Sequence, residues 1–351
     1  MDDLPRSGAH GVRYVFGTPP GFGEAVEVAD GVLWFRLALP RLPNHVNVYA
    51  LDDGDGWTIV DTGLCTPGVR AAWEAILSGP LSGRPVRRVI VTHHHPDHIG
   101  NAGWFQTEHG AALWTTRTAW LFARMLMLDE QPVPTPELLA YWRAAGMADA
   151  IYAEREHARP VNFADVLAPM PLGFRRIAQG DKFDAGGRRW RVEIGHGHAP
   201  DHAMLWCDDE DLVIAGDQVL PKISSNLGVY ATEPGADPVG DWMETCARLL
   251  PLANPAQVVM PGHQRPFVGL DTRLRDLISQ QNAALERLLD ALGQPRKASE
   301  CFQAIYEREI SHGEYALALY ETVGHLNHLR RRGLASRETT GDGVWIWRRM
   351  P

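Results

Sequence analysis

The sequence predicts an α/β fold that carries a helical insertion and ends in a small, mostly helical domain. Two stretches, about 30–115 and 175–265, contain short apolar runs rich in β-branched residues and bounded by Gly, Asp or Pro, a pattern typical of strands. Residues 117–165 between them are helical in character, and a long amphipathic pattern begins after residue 268. We therefore expect a larger domain over residues 1–268, with the insertion at 117–165, and a smaller domain over residues 269–351.

The two strand-rich stretches mix hairpins with strand–helix units. Helices are predicted at Gly68–Leu77, after the turn at Thr66-Pro67, and at Ala102–His109. Strands are predicted at Val32–Leu37, Val46–Leu51, Trp57–Val60, Val89–Thr92, Trp190–Ile194, Ala203–Cys207 and Leu212–Ala215.

The insertion is rich in aromatic and methionine side chains, and the proline-rich segment 131–136 interrupts it. The large apolar residues are Trp120, Phe122, Met125, Met127, Tyr141 and Trp142. They are consistent with a pair of helices that packs its apolar face on the sheet, or with a lid that lines a substrate.

The C-terminal part begins with leucines at helical spacing from Leu270 to Leu292, a helix that Gly293 ends. Two further helices, around Ser299–Arg308 and Gly313–Arg332, precede a polar turn at Arg337–Gly343 and a Trp-rich strand. This order of elements indicates a small winged-helix-like unit.

Composition narrows the classes of function. The 351 residues carry a formal net charge of −9, which works against binding to a phosphate backbone. No run approaches the roughly 20 apolar residues of a membrane span, and the first residues lack the pattern of a secretory signal. The four cysteines form no CxxC pair, so we expect inert thiols. These features favour a cytoplasmic protein without a membrane partner.

The most informative segment runs from a strand into four histidines and an aspartate at 93–98. In extended chain, residues two apart point the same way, so His93 and His95 can bind one cation. Asp97 and His98, after Pro96, lie at the turn into a helix and can hold a second cation. Imidazole and carboxylate ligands without thiolate suit zinc first, then manganese or iron.

Further candidate ligands each follow a strand or a turn. They are His198 in Gly197-His198-Ala199-Pro200-Asp201-His202, Asp217 in Gly216-Asp217, and His263 in Pro261-Gly262-His263. Their recurrence argues against a chance histidine patch at 93–98.

Five motifs in order resemble the metallo-β-lactamase superfamily between Asp61 and His263. They are Asp61-Thr62-Gly63, HxHxDH at 93–98, GHxPxH at 197–202, GD at 216–217 and PGH at 261–263. The pattern at Glu321–Leu329, followed by Gly333 and the Trp-rich strand, is similar to the C-terminal unit of the subgroup that includes endoribonuclease-like and thioesterase-like members. The resemblance implies an αββα sandwich of two mixed sheets, with helices outside and metals at one edge.

The resemblance also implies roles for individual residues. It places His93, His95 and His198 on one divalent ion, and Asp97, His98 and His263 on a second, with Asp217 bridging both. Asp97 would also transfer a proton during catalysis. Asp61 would accept a hydrogen bond from a ligand imidazole and fix its tautomer. His202 would support the ligand loop or form a hydrogen bond near Asp217. From the residues alone, we expect His94 to point away from the metals, where it stabilises the loop or lies at its surface. His196 matches no position of the family motifs, and we expect a loop or pocket-wall residue there.

Two such ions share a water, lower its pKa and polarise the substrate, so the sequence predicts a metal-dependent hydrolase that uses a metal-bridging hydroxide. We expect a small-molecule acyl substrate, a thioester or else an ester or lactone. The alternative is an endoribonuclease or phosphodiesterase, which Arg330-Arg331-Arg332 would serve, although a helix C-terminus favours cations in any case. A non-enzymatic role for the C-terminal winged-helix-like unit would be to form a homodimer or to shape the pocket rim of the partner chain.

Overall fold

The computed structural model describes residues 11–40 and 42–351 of the chain. The strands are β1 (Arg13–Tyr14), β2 (Ala25–Ala29), β3 (Val32–Ala38), β4 (His45–Asp52), β5 (Trp57–Val60), β6 (Val86–Ile90), β7 (Ala112–Thr115), β8 (Arg175–Arg176), β9 (Lys182–Ala185), β10 (Arg188–Gly195), β11 (His202–Cys207), β12 (Leu212–Gly216), β13 (Val258–Pro261), β14 (Phe267–Val268), β15 (Ala335–Thr339) and β16 (Trp345–Arg349). The helices are α1 (Pro67–Ser78), α2 (Pro96–Ile99), α3 (Ala102–His109), α4 (Arg117–Leu128), α5 (Pro136–Ala144), α6 (Asp149–Arg155), α7 (Pro238–Leu249), α8 (Leu270–Ala291), α9 (Phe302–Tyr306) and α10 (Tyr315–Arg331). Short 3-10 turns lie at Phe163–Asp165, Leu250–Leu252 and Ala298–Cys301.

Two mixed sheets, each of seven strands within the described residues, make up the larger part of the fold. The first has the order β2-β3-β4-β5-β6-β7-β8, and the second has the order β1-β14-β13-β12-β11-β10-β9. The strands from β5 to β8 pair in parallel, as do β12 and β13, while the β2–β5 and β9–β12 meanders are antiparallel.

The sheets face each other across a shared apolar core. Trp34 and Tyr49 of the first sheet belong to one buried cluster with Trp190 and Met260 of the second. Alternate residues of a strand point to opposite faces, so Val46 and its even-numbered neighbours in β4 turn to the other side of the first sheet. There they pack in a second cluster with side chains of α1, α3 and α4. The first sheet is therefore buried on both faces.

Local sequence explains where α1 begins and which face it buries. The Thr66 side chain accepts a hydrogen bond from the Val69 N–H, and Pro67 occupies the first helical position. Val69, Trp73 and Ile76 follow at helical spacing and are fully buried. The capping residues and the spacing of the apolar residues therefore predict the same helix.

The predicted α/β class is confirmed, and the predicted strands and helices of the two strand-rich stretches are found within a few residues of their bounds. One boundary was wrong: β6 ends at Ile90, so Thr92 and His93 lie in a loop rather than in a strand. The Thr92 N–H donates to the Asp61 carboxylate instead of to a neighbouring strand, which ends the pairing there. The insertion holds three helices, α4 to α6, rather than a pair.

The chain divides into two compact units. The first comprises residues 11–130, 162–225 and 252–273 and contains both large sheets. The second comprises residues 131–161, 226–251 and 274–351 and contains α5, α6, α7, α9, α10 and the β15–β16 hairpin. Each unit draws on three segments, whereas the boundary predicted from the sequence is a single point between residues 268 and 269.

In the second unit, α10 carries a set of buried polar contacts. The Glu321 carboxylate accepts hydrogen bonds from the Tyr306 hydroxyl at 3.0 Å and from the Asn226 amide at 3.3 Å. His325 lies 2.7 Å from Gln281 on α8. No helix in the described ranges, 11–40 and 42–351, combines the length and apolarity that a bilayer crossing requires.

Candidate metal centre

All of the ligands predicted from the sequence lie in the first unit, either in loops that follow strands or in the short helix α2. The loop after β6 supplies His93 and His95 and leads into α2, which carries Asp97 and His98. His198 lies between β10 and β11, Asp217 directly follows β12, and His263 follows β13. Both sheets therefore contribute to one cluster.

Three imidazoles converge at one end of the cluster. His93 Nε2 lies 2.9 Å from His95 Nδ1 and 3.3 Å from His198 Nε2. These three residues form a group whose ligand atoms all lie within 4.8 Å of one another. Nitrogen lone pairs this close to one another need a proton or a cation between them.

Asp97, His98 and His263 form a second such group at the other end. Asp97 Oδ2 lies 3.4 Å from His263 Nε2 and 3.6 Å from His98 Nε2. Asp217 lies between the groups, with its Oδ2 at 3.1 Å from His263 Nε2, 3.4 Å from His98 Nε2 and 3.6 Å from His198 Nε2.

A relay that ends at Asp61 orients two of the imidazoles. Asp61 Oδ2 lies 2.7 Å from His98 Nδ1 and accepts a hydrogen bond from the Thr92 hydroxyl at 2.9 Å. Because that hydroxyl gives its proton to Asp61, it accepts from His93 Nδ1, 3.0 Å away. Both rings thus carry a proton on Nδ1 and present Nε2 to the cluster. Asp61 itself lies in the left-handed region, at φ 63°.

His263 is oriented from the opposite sheet. Its Nδ1–H donates to the His45 carbonyl at 2.7 Å, and the His45 ring accepts from the Gln264 N–H at 2.9 Å. Asn47, two residues along β4, donates from its backbone to the Gly262 carbonyl at 2.7 Å and from its side chain to Pro261 at 2.8 Å. His45 and Asn47 hold the PGH loop. The sequence carries a usable signal for both residues, since they are polar residues at alternate positions of a buried strand.

Two motif glycines are required by close approach. A Cβ on Gly262 would lie 2.0 Å from Asp217 Oδ1 and 2.8 Å from a carbon of the His98 ring. Gly216 has φ 49°, and a Cβ there would lie 2.6 Å from the His202 ring. His202 in turn accepts a hydrogen bond from the Asp217 N–H at 3.0 Å.

The electrostatics differ between the two ends. Burial and then the neighbouring imidazoles hold the pKa of His93 and of His95 well below the usual range, so these rings are neutral. Burial also disfavours charge on His263, but the Asp217 and Asp97 carboxylates outweigh it and raise its pKa to about 10. Burial raises the pKa of Asp217, but the His263 and His98 imidazoles hold it well below its usual range. The carboxylates therefore favour a positive charge at this end of the cluster, where a cation would bind.

The donor set fits divalent cations. His98 Nε2 and Asp217 Oδ1 are buried and have no hydrogen-bond partner among the described residues, which is costly unless an ion satisfies them. Nitrogen and carboxylate oxygen without thiolate are the ligands of catalytic zinc, and they also suit manganese and iron.

His94 and His196, which neighbour the motif histidines in the sequence, lie outside these groups. His94 is buried rather than at the surface, with its ring 5.2 Å from that of Phe122, and burial lowers its pKa to about 3. His196 is exposed and lies 2.6 Å from the Pro200 carbonyl in its own loop.

Comparison with known proteins identifies the family. The model of the metallo-beta-lactamase superfamily matches residues 41–263, and the model of the metallo-beta-lactamase-like C-terminal domain matches residues 285–350. The chain belongs to the metallo-β-lactamase superfamily. It is therefore a hydrolase, as the motifs predicted, and the two facing sheets are the fold of that superfamily.

Several relatives align along most of this superfamily member. Probable metallo-hydrolase YqjP of Bacillus subtilis is 26% identical over 328 residues, 90% of this chain and 98% of that protein. Atrochrysone carboxyl ACP thioesterase of Aspergillus fumigatus is 22% identical over 72% of this chain and 46% of that protein. Among solved structures, a beta-lactamase domain protein from Burkholderia ambifaria is 34% identical with a TM-score of 0.89, over 97% of this chain and 99% of the other. A metallo-beta-lactamase family protein from Thermus thermophilus is 27% identical with a TM-score of 0.74, over 92% and 100%.

Proposed function

We propose that the protein is a dinuclear metal-dependent hydrolase of activated acyl compounds, thioesters first and esters or lactones by the same chemistry. The observation that carries this proposal is the pair of three-ligand groups with Asp217 between them. His93, His95 and His198 would hold one divalent ion, Asp97, His98 and His263 the other, and Asp217 would contact both. When bound, the two ions would lower the pKa of a water and draw charge from the substrate carbonyl.

In this proposal, Asp97 moves the proton. Burial raises its pKa, but His98 and His263 outweigh burial and lower it, so the group is a carboxylate near neutral pH. Its side chain is partly exposed, in contrast to the fully buried His98. As water attacks the carbonyl carbon, Asp97 accepts a proton from it. The carbon–sulfur bond then breaks, and the same proton passes to the leaving thiolate, which gives a thiol and a carboxylic acid, and the acid then releases its remaining proton to solvent.

The choice of an acyl substrate rests on the net charge of the chain and on its similarity to a named relative. A formal net charge of −9 disfavours a polyanion, and thioesterase appears in the name of a relative 22% identical to this chain. Arg330 and Arg331 favour a phosphodiesterase only weakly, since they lie in the last turn of α10, where the helix dipole stabilises cations. The predicted cytoplasmic location and homodimer stay predictions, and gel filtration of the full chain tests the second.

The proposal is tested by elemental analysis combined with turnover of an acyl thioester, an aryl ester, a lactone and a phosphodiester, with and without chelator. We expect about two ions per chain and chelator-sensitive acyl cleavage. The His198→Gln variant should lose metal and activity, whereas His196→Gln, two residues away in the same loop, should keep both. Cleavage of the phosphodiester alone, or absence of bound metal after gentle purification, would contradict the proposal.

A further inference from the structure

Helix α4 exposes large apolar side chains to solvent. Leu121, Met125 and Leu128 are 50%, 45% and 65% exposed and recur at the four- and three-residue spacing of one helix face. We call these three residues the apolar strip. Exposed groups of this kind on a soluble domain mark binding surfaces more often than isolated residues do.

The strip is not needed to attach α4 to the fold. The opposite face of the helix buries Ala119 and Ala123, and Ala123 packs in the core beneath the first sheet. The Trp120 indole N–H donates to the Pro171 carbonyl at 3.0 Å, and Arg124 donates to the Met170 carbonyl at 3.0 Å. The helix therefore has one apolar face for the core and a second that faces solvent.

The second face begins beside the metal ligands. The Thr118 hydroxyl donates to Asp201, in the loop that carries His198. The Phe122 ring lies 5.2 Å from the His94 ring, which lies 4.7 Å from the ring of the ligand His95. Met125 is seven residues from Thr118 and three from Phe122, so it extends the face that these residues form. At 1.5 Å per residue, Leu121 to Leu128 spans about 10 Å along the helix.

We infer that the apolar strip, together with Phe122, binds the apolar acyl group of the substrate. This inference rests on the proposed function, since it takes the acyl carbonyl to be at the metal centre. A substrate with a reactive carbonyl and an apolar tail would fit here, because the candidate metal centre is continuous with the exposed apolar face of α4. The strip thus selects among acyl substrates by the length of the apolar group.

The test is the dependence of kcat/KM on chain length, for a series of straight-chain acyl thioesters from acetyl to decanoyl. Burial of each added methylene should raise kcat/KM about four-fold until the strip is covered. In the double variant Leu121→Gln, Met125→Gln, this dependence should be nearly flat. Glutamine keeps the helix propensity and the approximate length of both side chains.

The matched control is Leu252→Gln. Leu252 is also an exposed leucine of the first unit. It lies in the 3-10 turn that precedes β13, whereas the candidate ligand His263 follows the other end of that strand. This variant should keep the wild-type dependence on chain length. Thermal unfolding of all three proteins verifies that each is folded.

A second readout does not depend on turnover. Calorimetric titration with non-hydrolysable alkyl thioethers should give a Kd that falls with chain length in the wild type and in Leu252→Gln but not in the double variant. If Kd depended on chain length equally in all three proteins, the inference would be overturned and the proposed function would be unaffected. The inference would likewise be overturned if the dependence of Kd on chain length were unchanged and sedimentation showed a dimer that only the double variant disrupts. The apolar strip would then bind a second copy of the chain. Failure of the metal-loaded wild type to cleave any acyl substrate would refute the proposed function itself.

Discussion

Asp61→Asn isolates the effect of one buried carboxylate on the tautomers of the candidate ligand imidazoles. Its two oxygens accept from the Thr92 N–H at 2.8 Å and the Thr92 hydroxyl at 2.9 Å, and one lies 2.7 Å from His98 Nδ1. An asparagine whose oxygen keeps the Thr92 N–H presents its NH₂ group to His98. The ring then accepts at Nδ1 and carries its proton on Nε2, where it cannot bind a cation. Asparagine tolerates the left-handed backbone that Asp61 adopts, so the change tests charge rather than conformation.

The expected loss follows from the hydrogen bond that is removed. A hydrogen bond to a charged group contributes about 1.5–3 kcal/mol, which corresponds to a loss of roughly 10- to 100-fold in affinity for the ion that His98 is proposed to bind. Titration of the metal-free protein with zinc in the presence of a competing chromophoric chelator measures that affinity. The control is Asp53→Asn, because Asp53 also accepts from a threonine hydroxyl, Thr58, at 2.5 Å, but pairs with Arg88 instead of a ligand. An Asp61→Asn protein that binds two ions with wild-type affinity would refute the reasoning.

Four further predictions concern Gly262, Asp97, the removal of metal and the buried Glu321. Gly262→Ala should displace Asp217, which its Cβ would contact at 2.0 Å, and elemental analysis should find fewer than two ions. Asp97→Asn, assayed with both ions bound, should lower kcat by about 10²- to 10⁴-fold, and full turnover would rule out its role. Chelation should lower the free energy of unfolding, by about 2.7 kcal/mol relative to protein at a free-ion concentration 100 times Kd. Burial raises the pKa of Glu321 to about 7, against hydrogen bonds from Tyr306 and Asn226, so this group binds protons more tightly when folded. Its stabilising contribution should therefore be lost, by about 3 kcal/mol, as the pH rises from below 4.5 to above 7, and urea unfolding of Glu321→Gln should lack that fall.

The family, the fold class and the cluster of candidate ligands could be predicted because their signals are local. HxHxDH, GHxPxH and PGH each place chemistry-bearing residues within a few positions of one another, directly after apolar runs that form strands. Hydrophobic spacing sufficed likewise for α8, predicted at Leu270–Leu292 and found at Leu270–Ala291.

Other features depend on contacts between distant segments. Thr92 was predicted as the last residue of a strand, but its hydrogen bonds to Asp61, 31 positions away, place it in the loop and make it part of the relay to His93. The exposed strip on α4 could not be told from a core-facing one, because spacing shows that a face is apolar and not what it faces. The insertion was therefore consistent with both packing on the sheet and lining a substrate, and α4 presents an apolar face to each side.

Strand β4 shows how a fold can position a candidate metal ligand from the opposite sheet. Val46 and Val48 point toward the helices, while the alternate residues His45, Asn47 and Tyr49 point toward the second sheet, where they contact the PGH loop. The Tyr49 hydroxyl and the Asn47 amide both donate to the Pro261 carbonyl at 2.8 Å. Such contacts satisfy backbone groups that β13 leaves unpaired where it ends, and the His45 carbonyl then fixes His263 with its proton on Nδ1. Since Asp61 imposes the same tautomer on His98, both imidazoles near Asp97 present Nε2 to the position that a cation would occupy. These contacts form only if β4 and the loop after β13 keep their relative positions across the two sheets. The packing of the core and the geometry of the candidate metal centre therefore depend on each other.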